Sequence, residues 1–337
     1  MNDFTPERPS MNDTVNKPNT ASAIFAPPWL IPVTAPQARP YLEHITHIYT
    51  DLDGTLFAPG GILLANHAGE PSTATAEALV ALKRAGIEVI IVTGRDGNQG
   101  RELLRILNLE TFIGELGCLV IEGAGAGARV SYELGEWENV TLAADLAPGI
   151  LPEGLTPYHL IQKSGVIERL LAAFPGKLEP HFLYPNQSPN QRQVTYALRG
   201  FVDTERTAAL LEREHLPLLL LDNGEIHPQT HTLVDCPEIH IYHLMPSGVS
   251  KASAVAKDIA RRDIAPGQTL AIGDAAADVA MGEHTGSLVV MANALHSTAV
   301  QAALDKRNAR GNVTLYTENP TADGWTEFAQ SLLATRR

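Results

Sequence analysis

The chain has 337 residues, 44% of them hydrophobic, and a formal net charge of -13 at pH 7. That length suits one large or two medium domains with a substantial buried core. The acidic balance argues against a general nucleic-acid-binding surface and against docking on anionic membranes. It still admits a phosphorylated ligand, because one lysine and one metal ion can dominate a local field. Cys118 and Cys236 are the only cysteines, so there is no disulfide framework and a reducing compartment fits. No apolar run reaches transmembrane length and the N-terminus lacks a secretory signal pattern, so the expected location is cytoplasmic.

Residues 1–40 are rich in Pro, Asn, Thr and Ala without a sustained period, and predict a disordered or loosely docked tail. Within it, Trp29, Leu30 and Ile31 form an apolar segment able to pack on the body. The triplet Met-Asn-Asp occurs at Met1 and again at Met11, so either methionine can be the native start. From Tyr41 strands and helices alternate. A strand over 44–50 runs into Asp51-Leu-Asp-Gly-Thr55, and a flap containing Gly60-Gly61 spans 57–71. A helix over 73–85, capped by Ser72 or Thr73 and ended by Gly86, leads to a strand over 87–92. That strand is nearly all apolar, as in a parallel sheet covered on both faces, and ends in Thr93-Gly94-Arg95. A helix over 101–107, strands at 112–113 and 118–121, and a glycine-rich turn at 123–127 follow.

Residues 124–240 differ in character: strands over 130–140, 193–202, 218–221 and 226–234, and helices over 164–174 and 204–215, predict an inserted α+β domain. The α/β pattern then resumes with a helix over 250–262, strands at 269–272, 288–290 and 313–316, and helices over 276–281 and 324–335. The fold class is therefore α/β, a doubly wound, Rossmann-like core with a parallel sheet, built from 41–123 and 241–337 around the insert at 124–240.

Four elements carry chemistry. Asp51 and Asp53, one residue apart at a strand end, can attack phosphorus and handle a proton, and Gly54 lets the backbone turn; the bland alternative is a common Asp-Gly turn. Thr93 can hydrogen-bond a phosphoryl oxygen with help from the following amides, or simply cap a helix. Lys251 lies at a helix start, an unfavourable place for a cation, which an anion or carboxylate nearby would explain; otherwise it is a surface lysine. Asp274, after the strand at 269–272, can bind a hard cation, and Asp278, one turn on, lies on the same side. In an open parallel sheet the strand ends converge on one crevice, so these residues meet.

The ordered set Asp51-Leu-Asp-Gly-Thr55, Thr93-Gly94-Arg95, Lys251 and Gly273-Asp274-x-x-x-Asp278 resembles the haloacid dehalogenase (HAD) superfamily phosphatases over about residues 44–335. The long insert between Thr93 and Lys251 is similar to the Cof-like branch, which includes sucrose-phosphate phosphatases, and residues 114–121 resemble the strand leading into its cap. The resemblance implies that Asp51 is a nucleophile forming an aspartyl-phosphate and that Asp53 protonates the leaving alcohol and then activates water. It implies Mg²⁺ held by Asp51, the Asp53 backbone carbonyl and Asp274, with Asp278 supporting the metal shell or Lys251. Thr93, Gly94 and Lys251 then hold the phosphoryl group. The sequence departs from many relatives at Ala275 and Ala277, where Ser and Asn are common.

Substrate choice falls to the insert, where Lys163, Lys177, His181, Arg192 and Arg199 are candidates, Arg192 and Arg199 foremost, beside a polar loop at 187–193. The expected partner is a small phosphorylated metabolite, a sugar phosphate first and a nucleotide or cofactor phosphate second, with neither nucleic acid nor membrane. A phosphomutase can use the same nucleophile, and a non-catalytic binding protein can keep the fold. Gly123-x-Gly-x-Gly127 does not fit a dinucleotide-binding fingerprint. His227, His231, Cys236, His240 and His243 match no zinc spacing, and strand alternation puts His240 and His243 on opposite faces.

Overall fold

The computed structural model describes residues 26–125, 127–139, 150–181, 192–213 and 215–336. The first half of the chain supplies β1 (Ile31–Pro32), α1 (Arg39–Leu42), β2 (His47–Thr50), α2 (Ala74–Arg84), β3 (Glu88–Val92), α3 (Gly97–Leu107), β4 (Thr111–Gly114), β5 (Leu119–Glu122) and β6 (Arg129–Tyr132). Then come α4 (Pro157–Lys163), α5 (Val166–Ala173), β7 (Leu178–Pro180), β8 (Tyr196–Gly200), α6 (Thr204–Arg213), β9 (Leu218–Glu225) and β10 (His240–Pro246). The chain closes with α7 (Lys251–Arg261), β11 (Thr269–Gly273), α8 (Ala276–Met281), β12 (Ser287–Val290), α9 (Thr298–Ala309), β13 (Leu315–Tyr316) and α10 (Thr321–Ala334).

The larger sheet runs β1-β13-β12-β11-β2-β3-β4-β5-β6. Its neighbours are parallel from β1 to β4, and β5 and β6 are antiparallel additions. The apolar β3 is explained by cover on both faces. Val89 and Ile91 share one core with Leu82 of α2, Leu104 of α3 and Phe328 of α10, whereas Ile90 and Val92 share another with Val255, Ile259, Met281 and Leu304 of α7 to α9. The smaller sheet, β7-β8-β10-β9, is antiparallel throughout. Leu198, Tyr242 and Leu244 pack with Tyr158, Ile161, Leu170 and Leu211 of its helices. Strand alternation gives Ile241 and His243 to the opposite face.

Several boundaries differ from the sequence reading. Residues 26–40 are docked, not a tail: β1 pairs with β13, and Leu30, Val33 and Ala38 are buried. Strand β6, expected in the insert, is the edge of the large sheet, and β10, expected to rejoin the core, is central in the small one. The strand expected over 226–234 is absent among the described residues; Pro228 and Pro237 flank an irregular run before β10, as proline removes ladder donors. Helix α3 begins earlier than expected because Asp96 caps it with Gln99 in a reciprocal box, and Gly100 makes room for Phe112. Helix α4 went unread because its opening Pro157 looks like a breaker, although proline suits a first turn. Residues 1–25 and 187–191 lie outside the described residues. Among the described residues no helix is long and apolar enough to cross a membrane.

One contact ties the C-terminal helix to the start of the site. Trp325 of α10 is fully buried, and its Nε1 donates to Thr50 Oγ1 at 3.1 Å, while the Thr50 hydroxyl donates to the Asp51 carbonyl at 2.8 Å. Trp325→Ala is expected to cost about 3–5 kcal/mol of unfolding free energy in urea titration. Trp325→Phe, which deletes the hydrogen bond and leaves a smaller cavity, should cost less, about 1–3 kcal/mol.

Candidate active site

Asp51, Thr93 and Asp274 directly follow the C-terminal ends of β2, β3 and β11, adjacent strands of the parallel sheet. The Asp51 amide donates to the Ile272 carbonyl at 3.0 Å and continues the β2–β11 ladder into the site. Two glycines let the loops approach. Gly54 has φ +86° and a Cβ there would lie 2.2 Å from Asp274 Oδ2; one on Gly273 would lie 2.2 Å from the Asp278 Cβ. Side chains at either position would collide with the acids.

Lys251, the first residue of α7, does not reach solvent. Its side chain is 7% exposed, and Nζ donates to Asp51 Oδ1 at 2.7 Å and to Asp278 Oδ1 at 2.8 Å. The two carboxylates outweigh the unfavourable helix end anticipated for a cation. Asp278 uses its other oxygen, Oδ2, to accept the amides of Asp274 at 3.1 Å and Ala275 at 2.9 Å. It therefore fixes both Lys251 and the loop after β11. Asp274 accepts from Thr55 Oγ1 at 3.3 Å and from Asn293 Nδ2 at 3.0 Å.

Carboxylate oxygens of Asp51, Asp274 and Asp278 all lie within 4.8 Å of one another. Burial raises Asp51 to about 8, with Lys251 opposing and Asp278 and Asp274 adding to the rise. Burial, then Asp278, raises Asp274 to about 6. For Lys251 burial opposes the charge, but Asp278 and Asp51 win and hold the ammonium above its usual range. Three acids around one ammonium leave an excess of negative charge that a divalent cation would relieve. The donors are all oxygens, so the set fits a hard cation of the Mg²⁺ type, with Asp51 and Asp274 as the carboxylates best placed to hold it.

Asp53 is turned away from this cluster. Arg95 grips it in bidentate fashion, Nε to Oδ2 at 2.8 Å and Nη2 to Oδ1 at 2.5 Å, and the Arg95 guanidinium also lies over the Phe57 ring. Gly61, with φ +74°, leaves room for this pair, since its Cβ would lie 2.6 Å from Arg95 Nη2.

One cleft of about 830 Å³ brings together Asp51, Asp53, Thr93, Gly94, Lys251, Asp274, Asp278 and Arg192, with His181 and His243 from the smaller sheet. Arg199 is not among the lining residues. Its Nε donates to Glu179 Oε1 at 2.6 Å, so the substrate contact expected of it gives way to an ion pair within the smaller sheet. Lys177 donates to the carbonyls of Val234 and Asp235, and Lys163 is exposed at the end of α4. His240 pairs with Asp222 at 2.7 Å.

Sequence reasoning passed over four contributors. Arg95 was visible only as part of the turn after β3. Thr55 and Asn293 reach Asp274 from distant segments, with no local signal for Asn293 beyond its polarity. Glu115 is wholly buried, and it accepts amides of Gln193 at 2.7 Å, Val194 at 3.1 Å and Thr195 at 2.7 Å, plus the Thr195 hydroxyl at 3.0 Å. It thereby ties the end of β4 to the segment that enters β8. Glu115 and Leu116 have φ of 50° and 62°, conformations costly for residues other than glycine, which those bonds help offset.

Residues 48–130 and 224–306 match the haloacid dehalogenase-like hydrolase family, and the chain belongs to it. No curated protein matches the chain in sequence. Among solved structures, a protein of Thermoplasma acidophilum is 16% identical with a TM-score of 0.54, covering 86% of this chain and 99% of its own. A phosphatase of the same superfamily from Bacteroides thetaiotaomicron is 16% identical with a TM-score of 0.53, covering 87% and 96%. The sucrose-phosphatase of Synechocystis, solved with sucrose and phosphate, is 15% identical with a TM-score of 0.50, covering 86% and 98%. At these identities the likeness establishes a shared fold.

Lys251→Ala leaves two buried carboxylates unpaired and is expected to cost about 3–5 kcal/mol in chemical denaturation. Glu115→Ala strands the buried amides of Val194 and Thr195, the part-buried amide of Gln193 and the Thr195 hydroxyl, and should cost roughly 3 kcal/mol or more in the same assay.

Proposed function

We propose that this hydrolase is a Mg²⁺-dependent phosphatase of a small phosphomonoester, with a sugar phosphate as the leading substrate class. The observation that carries the proposal is the pairing of Asp51 with Lys251. Lys251 occupies Oδ1, and among the described residues nothing donates to Oδ2, so one oxygen of a buried carboxylate stays available at the floor of the cleft. Thr93, 2% exposed at the end of β3, lines the same floor with Gly94 and can meet a phosphoryl oxygen. The fold likeness to phosphatases supports the same reading.

In this reading Asp51 Oδ2 attacks phosphorus in line with the leaving oxygen, a P–O bond to Asp51 forms, and the P–O bond to the alcohol breaks. Asp53, once freed from Arg95 and protonated from solvent, gives its proton to the departing oxygen. The resulting carboxylate then takes a proton from water as that water attacks phosphorus, and the Asp51–phosphorus bond breaks to release phosphate. Bound Mg²⁺ would supply neutralisation of charge on the acids and the phosphoryl oxygens. Lys251 orients Asp51 throughout, and Asp278 holds Lys251 in place. The Arg95–Asp53 pair must open before Asp53 can act. Its side chain, 54% exposed, has room to turn, and substrate anions compete for Arg95. The unit built on the smaller sheet serves as a cap over the acids.

Phosphate release from a panel of sugar, glycerate and nucleotide phosphates tests the proposal. Release should require Mg²⁺, stop with EDTA, and fall by about 10³-fold or more in Asp51→Asn. Turnover that survives Asp51→Asn, or isomer formation without free phosphate, would overturn it.

A further inference from the structure

Beyond the acid cluster the cleft runs along the face of the smaller sheet, where three side chains have no part in the phosphoryl chemistry. Arg192 lines this region. Its Nη1 donates to Thr195 Oγ1 at 2.9 Å and its Nη2 to the Gly94 carbonyl at 3.2 Å. Both acceptors are neutral, and among the described residues no carboxylate pairs with this guanidinium. His243 on β10 is 1% exposed, and His181 follows β7. Both line the cleft, and Nδ1 of each is buried with no hydrogen-bond partner among the described residues.

These groups are expensive as they stand. An unsatisfied buried polar atom costs about 1–3 kcal/mol, and a charge partly withdrawn from water without a counter-ion costs more. Burial, with help from Arg199 and Arg192, lowers His181 to about 4 against a smaller opposing pull from Glu179, and burial with Arg192 lowers His243, so both rings are held neutral. A neutral imidazole can still present Nδ1–H to an acceptor. Glu115 holds the arrangement in place, since it accepts the Thr195 hydroxyl that in turn accepts from Arg192. On the other rim Asn223 and Glu225 suit hydroxyl groups. A ligand with a negative charge over Arg192 and acceptors for the two rings satisfies every unpaired group at once. The transferred phosphoryl cannot do so, because Thr93, Lys251 and Asp51 claim it.

We infer that the cleft takes a phosphomonoester whose leaving group carries a second acidic group, a carboxylate or a phosphate, received by Arg192, His181 and His243. The inference rests on the phosphatase reading for the position of the first phosphoryl group. Two matched pairs of probes separate the two sources of charge: 6-phosphogluconate against glucose 6-phosphate, and fructose 1,6-bisphosphate against fructose 6-phosphate. Calorimetric binding to Asp51→Asn protein with Mg²⁺ is measured beside phosphate release by the wild type. In at least one pair the doubly acidic member should bind about tenfold tighter or better, the strength of one charge-assisted hydrogen bond. That ratio should fall by about tenfold in Arg192→Gln and fall again in the independent variant His243→Gln. Equal binding within both pairs, preference for the singly charged members, no binding by any probe, or a ratio unmoved by both substitutions would overturn the inference. Preferential binding without Asp51-dependent phosphate release would leave the inference standing and remove the phosphatase reading.

Discussion

The site depends on one buried ammonium held between two buried carboxylates. Lys251 bridges Asp51 and Asp278 at 2.7 and 2.8 Å, and through those bonds three separate segments of the chain meet at one point. Burying such groups costs several kcal/mol per ion, so the arrangement persists only because geometry and further hydrogen bonds complete it. Asp278 completes it from below with two loop amides, and the backbone of Asp51 completes it from the side through the β2–β11 ladder. What remains is a local excess of negative charge around Asp51 and Asp274, which makes the pocket receptive to a divalent cation and, through it, to a phosphoryl group.

The surroundings divide into a rigid half and a polar half. The rigid half is the parallel sheet, with cores on both faces and Trp325 pinned to Thr50 next to Asp51. The polar half faces it: Asp53, its side chain 54% exposed, pairs with Arg95, and Arg192 reaches across to the Gly94 carbonyl. Glu115 joins the halves, and its position in a left-handed backbone shows that the junction is fixed by tertiary bonds more than by local preference. In the proposed reading, an Asp51 held firmly by the sheet and a separate polar wall would suit an enzyme whose chemistry is constant and whose substrate is selected elsewhere in the cleft.

Much of this was legible in the chain. The acids at Asp51, Asp274 and Asp278 and the residues Thr93 and Lys251 sit where strand ends converge, and strand ends can be read from apolar runs bounded by turns. Lys251 was readable even as an anomaly, because a cation at a helix start asks for an anionic neighbour. Contacts between distant segments were not readable. Nothing near Asn293 announces Asp274, nothing in Arg95 announces that it will grip Asp53, and the four bonds of Glu115 span dozens of residues. Arg199 shows the converse: a basic residue on a strand looked available until the register placed Glu179 directly opposite. The two ends of the insert differ from the sequence reading for a related reason, since β6 and β10 carry strand composition that fits either sheet, and only pairing decides.

Chemical trapping of the covalent intermediate tests the central claim most directly. Protein quenched during steady turnover with Mg²⁺ and treated with borohydride, which reduces an acyl phosphate to the alcohol, is digested and mapped by mass spectrometry. The account predicts reduction at Asp51 alone, dependent on substrate. Continued turnover with Asp51 unmodified, or reduction at another carboxylate, would contradict it.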